Sequence, residues 1–199
     1  MNLHEQLPES DWEASRPSIR PASRNPSDSP TLAKVRRAPE PSGGDERELL
    51  VGWLAFHRDA LAANCEGVSP VDLIRAGLGG SSASLLGLVR HLTEMERVYF
   101  TYCIEGGELE WVYGPYEDDG PAGDFDNLRP DMVESSFEAW RRECAHADGL
   151  IAKQDSLDAA GSGSSRTLRE NLLKVVQEYA RHNGHADLIR ESIDGVTGE

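Results

Sequence analysis

The sequence predicts an all-α fold, a bundle of four helices behind an N-terminal tail, on three observations. Four segments place apolar residues at intervals of three and four, the period of one helix face. These segments are bounded by capping residues, glycines or prolines, and no stretch reads convincingly as a strand. No internal repeat of solenoid kind is visible.

The first helix reads from "GGDERELLVGWLAFHRDALAANCEG", where Leu49, Leu50, Trp53, Leu54, His57 and Leu61 share a face, with Asp45 as N-cap and Gly67 as stop. "SPVDLIRAGLGGSS" follows with a Ser-Pro start and a glycine-rich end, which fits one or two helical turns within a connection. In "SSASLLGLVRHLTEMERVYFTYCIEGG" the second long helix carries Leu85, Leu88, Leu92, Met95, Tyr99 and Tyr102, up to Gly106 and Gly107. Residues 108 to 130 have no helical period and hold Trp111, Tyr113, Tyr116 and Phe125 among Gly, Pro and Asp. Loops of that length in compact domains are usually functional or mobile. Arg129-Pro130-Asp131 opens the third helix, with Met132 or Val133, Phe137, Trp140, Cys144 and Ile151 on one face, running out between Asp155 and Asp158. Beyond the link "AAGSGSSRT", whose last Ser or Thr can cap, the fourth helix repeats Leu168, Leu172, Val175, Tyr179, His182, Ala186, Ile189 and Ile193.

The chain divides at residue 44. Residues 1–44 hold seven of the eleven prolines and seven serines, and their six basic side chains cancel six acidic ones. Such a segment buries too little apolar surface to offset the entropy of ordering, so disorder is expected there. The whole net charge of −15 therefore falls on residues 45–199, the bundle domain. That excess of acid argues against nucleic acid and anionic membrane as partners. The N-terminus lacks a basic start followed by an apolar run, and no run is long enough to span a bilayer. Three cysteines without a CxxC spacing, Cys65, Cys103 and Cys144, point to reduced thiols and a cytoplasmic setting.

Chemistry concentrates in "EYARHNGH". At about 100° per residue, Glu178, His182 and His185 share one narrow helix face, with His182 on the apolar stripe. His91 borders the stripe of the second helix, and a crossing helix pair could set it opposite Glu178 and His182. Two imidazoles and one carboxylate from facing helices suit a divalent metal such as zinc with one position left for water or substrate. The same pattern also fits histidines favoured near a helix C-terminus, with Glu178 in an ion pair with Arg181 or Arg169. His57 reads as a core or rim histidine and His146 as solvated. Cys65 lies beside Glu66, a poor setting for a nucleophile, and "GLGGSSAS" lacks the lysine and preceding strand of a phosphate loop.

The stretches "LLGLVRHLTEMERVYF" and "EYARHNGHADLIRESIDG" resemble the DinB-like superfamily of metal-binding four-helix bundles, over about residues 46 to 195. The likeness is particularly to its actinobacterial branch, related to the mycothiol-dependent maleylpyruvate isomerase. This resemblance implies an up-down-down-up bundle with a metal, Zn2+ by expectation, held by His91 and by Glu178 and His182 on the last helix. Glu178 stands where a histidine is commoner in the superfamily, although that isomerase also carries a glutamate there. His185 falls where many relatives have glutamine, and ligand, hydrogen-bond partner and proton shuttle all remain open for it.

Relatives of the metal-binding type use small thiols, mycothiol or bacillithiol. The resemblance thus implies a metal-dependent S-transferase or isomerase acting on a thiol and an electrophile, with His185 as a nearby acid or base. Arginine outnumbers lysine 17 to 3, a mark of GC-rich genomes, which favours mycothiol. Trp111, Tyr113 and Tyr116 could cover the site or simply anchor their loop to the bundle. Two other readings stand beside the transferase: a non-catalytic metal-binding or interaction protein that forms a homodimer through apolar helix faces, and a hydrolase using metal-activated water.

Overall fold

Short polar side chains that turn back onto their own backbone fix where the long helices begin. In the computed structural model, which describes residues 38–77, 79–114 and 123–197, Asp45 and Glu48 form a reciprocal capping box at the start of α1 (Glu46–Cys65). Ser69 and Pro70 open the four-residue α2 (Pro70–Leu73), and Ser84 caps α3 (Leu85–Glu96) by accepting from the Gly87 amide. A 3-10 turn at Pro130–Met132 leads into α4 (Val133–Lys153). Thr167 and Glu170 form a second capping box on α5 (Leu168–Asp194), which ends at Gly195 in the left-handed region with φ 79°. Among the described residues there is no strand, only an isolated bridge between Ala160 and Thr167. The all-α expectation holds. The tail expected over residues 1–44 lies, as far as residue 37, outside the described residues.

α5 is the spine of the bundle, packing along α1 on one side and against α3 on the other, while α3 also packs on α4. Its Leu172, Val175, Tyr179, Ala186 and Ile189 have no exposed surface, and they meet Leu61, Leu85, Leu92 and Phe100 in one core. Each such large apolar side chain contributes about 1.5–3 kcal/mol on burial. No helix among the described residues is long and apolar enough to cross a membrane.

Two details differ from the periodic reading. The second long helix does not stay α to its glycines: from Arg97 to Glu105 it winds as a π-helix, closing at Gly106 with φ 82°. On α5 the buried stripe passes through Asn183, 7% exposed, rather than through His182. Asn183 can take this place because its Nδ2 donates to the His57 carbonyl on α1 at 3.0 Å, so a buried amide becomes a helix-to-helix tie. His182 is thereby turned to the border of the core, half-buried, where its ring can face α3.

Candidate metal centre

α3 and α5 each bring their polar border to the same seam. His91 follows the buried Leu88 by three residues, and Glu178 and His182 flank the buried Tyr179 by one and three. The packing of the two helices sets one ligand atom from each of His91, Glu178 and His182 within 4.8 Å of the others. The His91 and His182 rings meet edge to face with centroids 4.7 Å apart, and Glu178 Oε2 lies 3.4 Å from His182 Nε2. All three are half-buried, in a place where polar atoms need partners.

Each of the three is held from behind. Asp124, fully buried on the long loop, lies with Oδ2 2.9 Å from His91 Nδ1; a proton donated there leaves Nε2 with its lone pair. Lys174, one turn before Glu178, pairs with Glu178 Oε1 and leaves Oε2 toward the histidines. His185 Nδ1 is 3.3 Å from His182 Nδ1, so His185 stands behind His182 rather than beside its Nε2. It belongs to the arrangement without joining the three clustered donors.

The electrostatics follow this layout. Burial, then the neighbouring His91, drive the His182 pKa down to about 4, so its ring is neutral at physiological pH and its lone pair available. Burial alone would raise the Glu178 carboxyl, but the Lys174 hydrogen bond and charge, helped by His182 and His91, hold it below its ordinary value. The result is two imidazoles and an ionised carboxylate whose remaining donor atoms converge, a set that fits a divalent cation of zinc type.

The loop that supplies Asp124 is bound to α3 at both stems. Buried Glu94 accepts from the Tyr113 amide at 2.8 Å, and Arg90 donates to the Gly123 carbonyl at 2.7 Å while its guanidinium sits 3.9 Å from the Tyr113 ring. The stems cross so closely that a Cβ on Gly123 would meet the Tyr113 carbonyl oxygen at 2.1 Å. Phe125 lies over His91, with centroids 5.7 Å apart, and fills the space above Gly87, where a Cβ would meet its ring at 2.5 Å. Tyr113 therefore anchors the loop, Trp111 is half-buried on the first stem, and Tyr116 falls outside the described residues.

The remaining candidates take the structural roles expected of them. His57 is half-buried, its pKa lowered by burial, and exposed His146 faces Glu105 at 3.2 Å. The Cys65 thiol, fully enclosed, is pushed up to about 12 by that burial rather than by Glu66. Burial also raises Cys103 and Cys144, the latter beside Glu96. None is a poised nucleophile.

The family model described as mycothiol-S-transferase matches residues 49–195. The chain belongs to the mycothiol-S-transferase family. No curated protein and no solved structure matches it. As a member of this DinB-like family, the chain bears out the resemblance carried by the second and last helices. The family match covers His91, Asp124, Lys174, Glu178, His182 and His185 together. Sequence reasoning missed Asp124 and Lys174. Lys174 had a visible signal, a lysine one helical turn before Glu178. Asp124 had none, since it sits in an aperiodic loop 33 residues from His91.

Proposed function

We propose that this member of the mycothiol-S-transferase family is a metal-dependent enzyme that transfers a small thiol, mycothiol, to an electrophilic substrate. His91, Glu178 and His182 hold the metal, Zn2+, in this reading. The observation that carries it is the convergence of three donor atoms from α3 and α5 within 4.8 Å, with Asp124 and Lys174 holding the outer atoms of His91 and Glu178. A divalent metal in such a site lowers the pKa of a thiol it meets, so that thiolate exists at neutral pH.

The residues of this chain do the positioning and the proton handling. Asp124 holds the His91 proton at Nδ1, which fixes the tautomer that presents Nε2. Lys174 occupies Glu178 Oε1, which leaves one carboxylate oxygen for the metal. His185 Nδ1 accepts from His182 Nδ1–H, which leaves the His182 Nε2 lone pair toward the metal and puts the His185 proton on Nε2, where it can be donated to the departing group; the thiol proton is released to solvent. The thiolate sulfur then forms a bond to the electrophilic carbon as the leaving group departs. The half-buried seam between α3 and α5, rimmed by Phe125, strengthens these charges by limiting water.

Elemental analysis of purified protein, paired with an assay of mycothiol consumption by an alkylating electrophile, tests the reading. About one divalent metal per chain is expected, with activity that needs both metal and thiol. Protein without stoichiometric metal, whose metal uptake is unchanged by His91→Ala, would remove both the transferase and the hydrolase readings. Metal without thiol dependence would leave the non-catalytic one.

A further inference from the structure

α1 and α4 lie side by side without packing closely on each other. Between them is a groove of about 570 Å³, walled by Ala55, Asp59 and Ala62 on α1 and by Phe137, Trp140 and Cys144 on α4. A second hollow of about 290 Å³ continues it toward Val51 and Ile151, and Asp148 borders both. This groove is on a different helix pair from the metal seam.

Its polar floor is already spent. Arg58 donates to both oxygens of buried Glu96 at 2.7 and 2.6 Å and to Asp148 at 2.7 Å, and Glu96 also accepts from Tyr179 at 2.9 Å. A small charged ligand finds no unpaired partner in that set, and the other lining cation, Arg141, lies 5.6 Å from the Phe137 ring centroid, whereas apolar side chains find Phe137, Trp140 and three alanines.

The path of the chain indicates which apolar side chains those are. The Ala38 amide donates to Asp59 Oδ2 at 2.7 Å, on the groove wall itself. Pro41 lies against Gly52, where a Cβ would meet it at 3.0 Å, so the chain follows α1 from Asp59 back to the Asp45 cap. Whatever precedes Ala38 therefore starts at the groove. The residues immediately before it are "PTLAKVRR", residues 30–37, with Leu32 and Val35 apolar and Lys34, Arg36 and Arg37 basic. Eight residues reach at most about 28 Å, more than the roughly 17 Å of α1 between Val51 and Ala62. The three cations would enter the field of a bundle domain that carries the whole −15 charge.

We propose that the α1/α4 groove is the docking site of the chain's own residues 30–37, with Leu32 and Val35 as its apolar anchors. Cys144 lines the groove, while Cys65 and Cys103 are buried elsewhere and serve as internal references. The test is the rate of N-ethylmaleimide alkylation of each cysteine, read by peptide mass mapping, in the full chain and in its L32D/V35D double variant. The variant is expected to react about tenfold faster at Cys144, the equivalent of about 1.4 kcal/mol, with the two references and the metal content unchanged. Equal Cys144 rates in the two chains would overturn the assignment. So would protection of Cys144 that disappears on dilution, which would seat a second copy of the chain in the groove.

Discussion

α3 and α5 carry two polar clusters, one inside the core and one at its border, and they are built on opposite rules. Around Glu96 and Tyr179 each of these polar groups is spent on a neighbour: Arg58 on Glu96, Tyr179 on Glu96 at 2.9 Å, Trp140 on Tyr179 at 2.8 Å. Around His91 and His182 the outer nitrogens are held by Asp124 and His185, while the inner donor atoms of His91, Glu178 and His182 face one another. The first arrangement is closed and pins four helices together. The second leaves three donor atoms converging within 4.8 Å, which is what the proposed metal site needs. A buried polar cluster is thus structural when its atoms are mutually used, and a site when the unused ones converge.

The largest effect that separates the two clusters is on metal content. If the proposed centre holds, His91→Ala or His182→Ala is expected to abolish stoichiometric divalent metal by elemental analysis while leaving the helical circular dichroism spectrum in place. On the closed side, Glu96→Ala leaves the Arg58 charge buried without its bidentate partner. Denaturant unfolding should show a loss of about 3–5 kcal/mol, with metal stoichiometry retained in the folded fraction. If Glu96→Ala proved neutral in stability, the contrast between the clusters would fail.

Asp124→Asn tests a subtler point, since it preserves shape but removes the charge that holds the His91 proton. Metal affinity in a competition titration is expected to fall about 10- to 100-fold. The smallest effect is on acid stability. His182 has its pKa lowered from 6.5 to about 4, so the folded chain resists the proton that the unfolded chain accepts. The stability from this group is therefore complete above about pH 6.5 and is lost as pH falls toward 4. Thermal melts of metal-free protein should show that decline, and His182→Gln should flatten it.

Much of this was legible in the sequence because helices repeat. Asp45, Thr167 and the three-four spacing give α1, α4 and α5 nearly to their ends, and the same period puts His91 beside the stripe of its helix and Glu178 beside His182, which it sets one position too deep, on the stripe itself. Asp124 was not legible, because nothing local predicts where an aperiodic loop docks. Its position depends on Arg90 and Glu94 gripping the two stems, interactions set only once α3 is packed. Glu96 was half legible: it stands four residues after Leu92 and four before Phe100, a charge in a core stripe, which is a sign of a buried partner. Asn183 gave the opposite trouble, since its neighbour His182 fitted the apolar rhythm equally well.

The π-wound stretch from Arg97 to Glu105 bears on where this helix changes its winding. A turn closed five residues back instead of four accommodates an extra residue without breaking the rod. The wider turn follows the α-helical stretch that carries His91, and it directs Phe100, Cys103 and Ile104 into the core. The wider winding thus begins only after the turn that carries His91, and the segment beyond it still packs on α4 and α5.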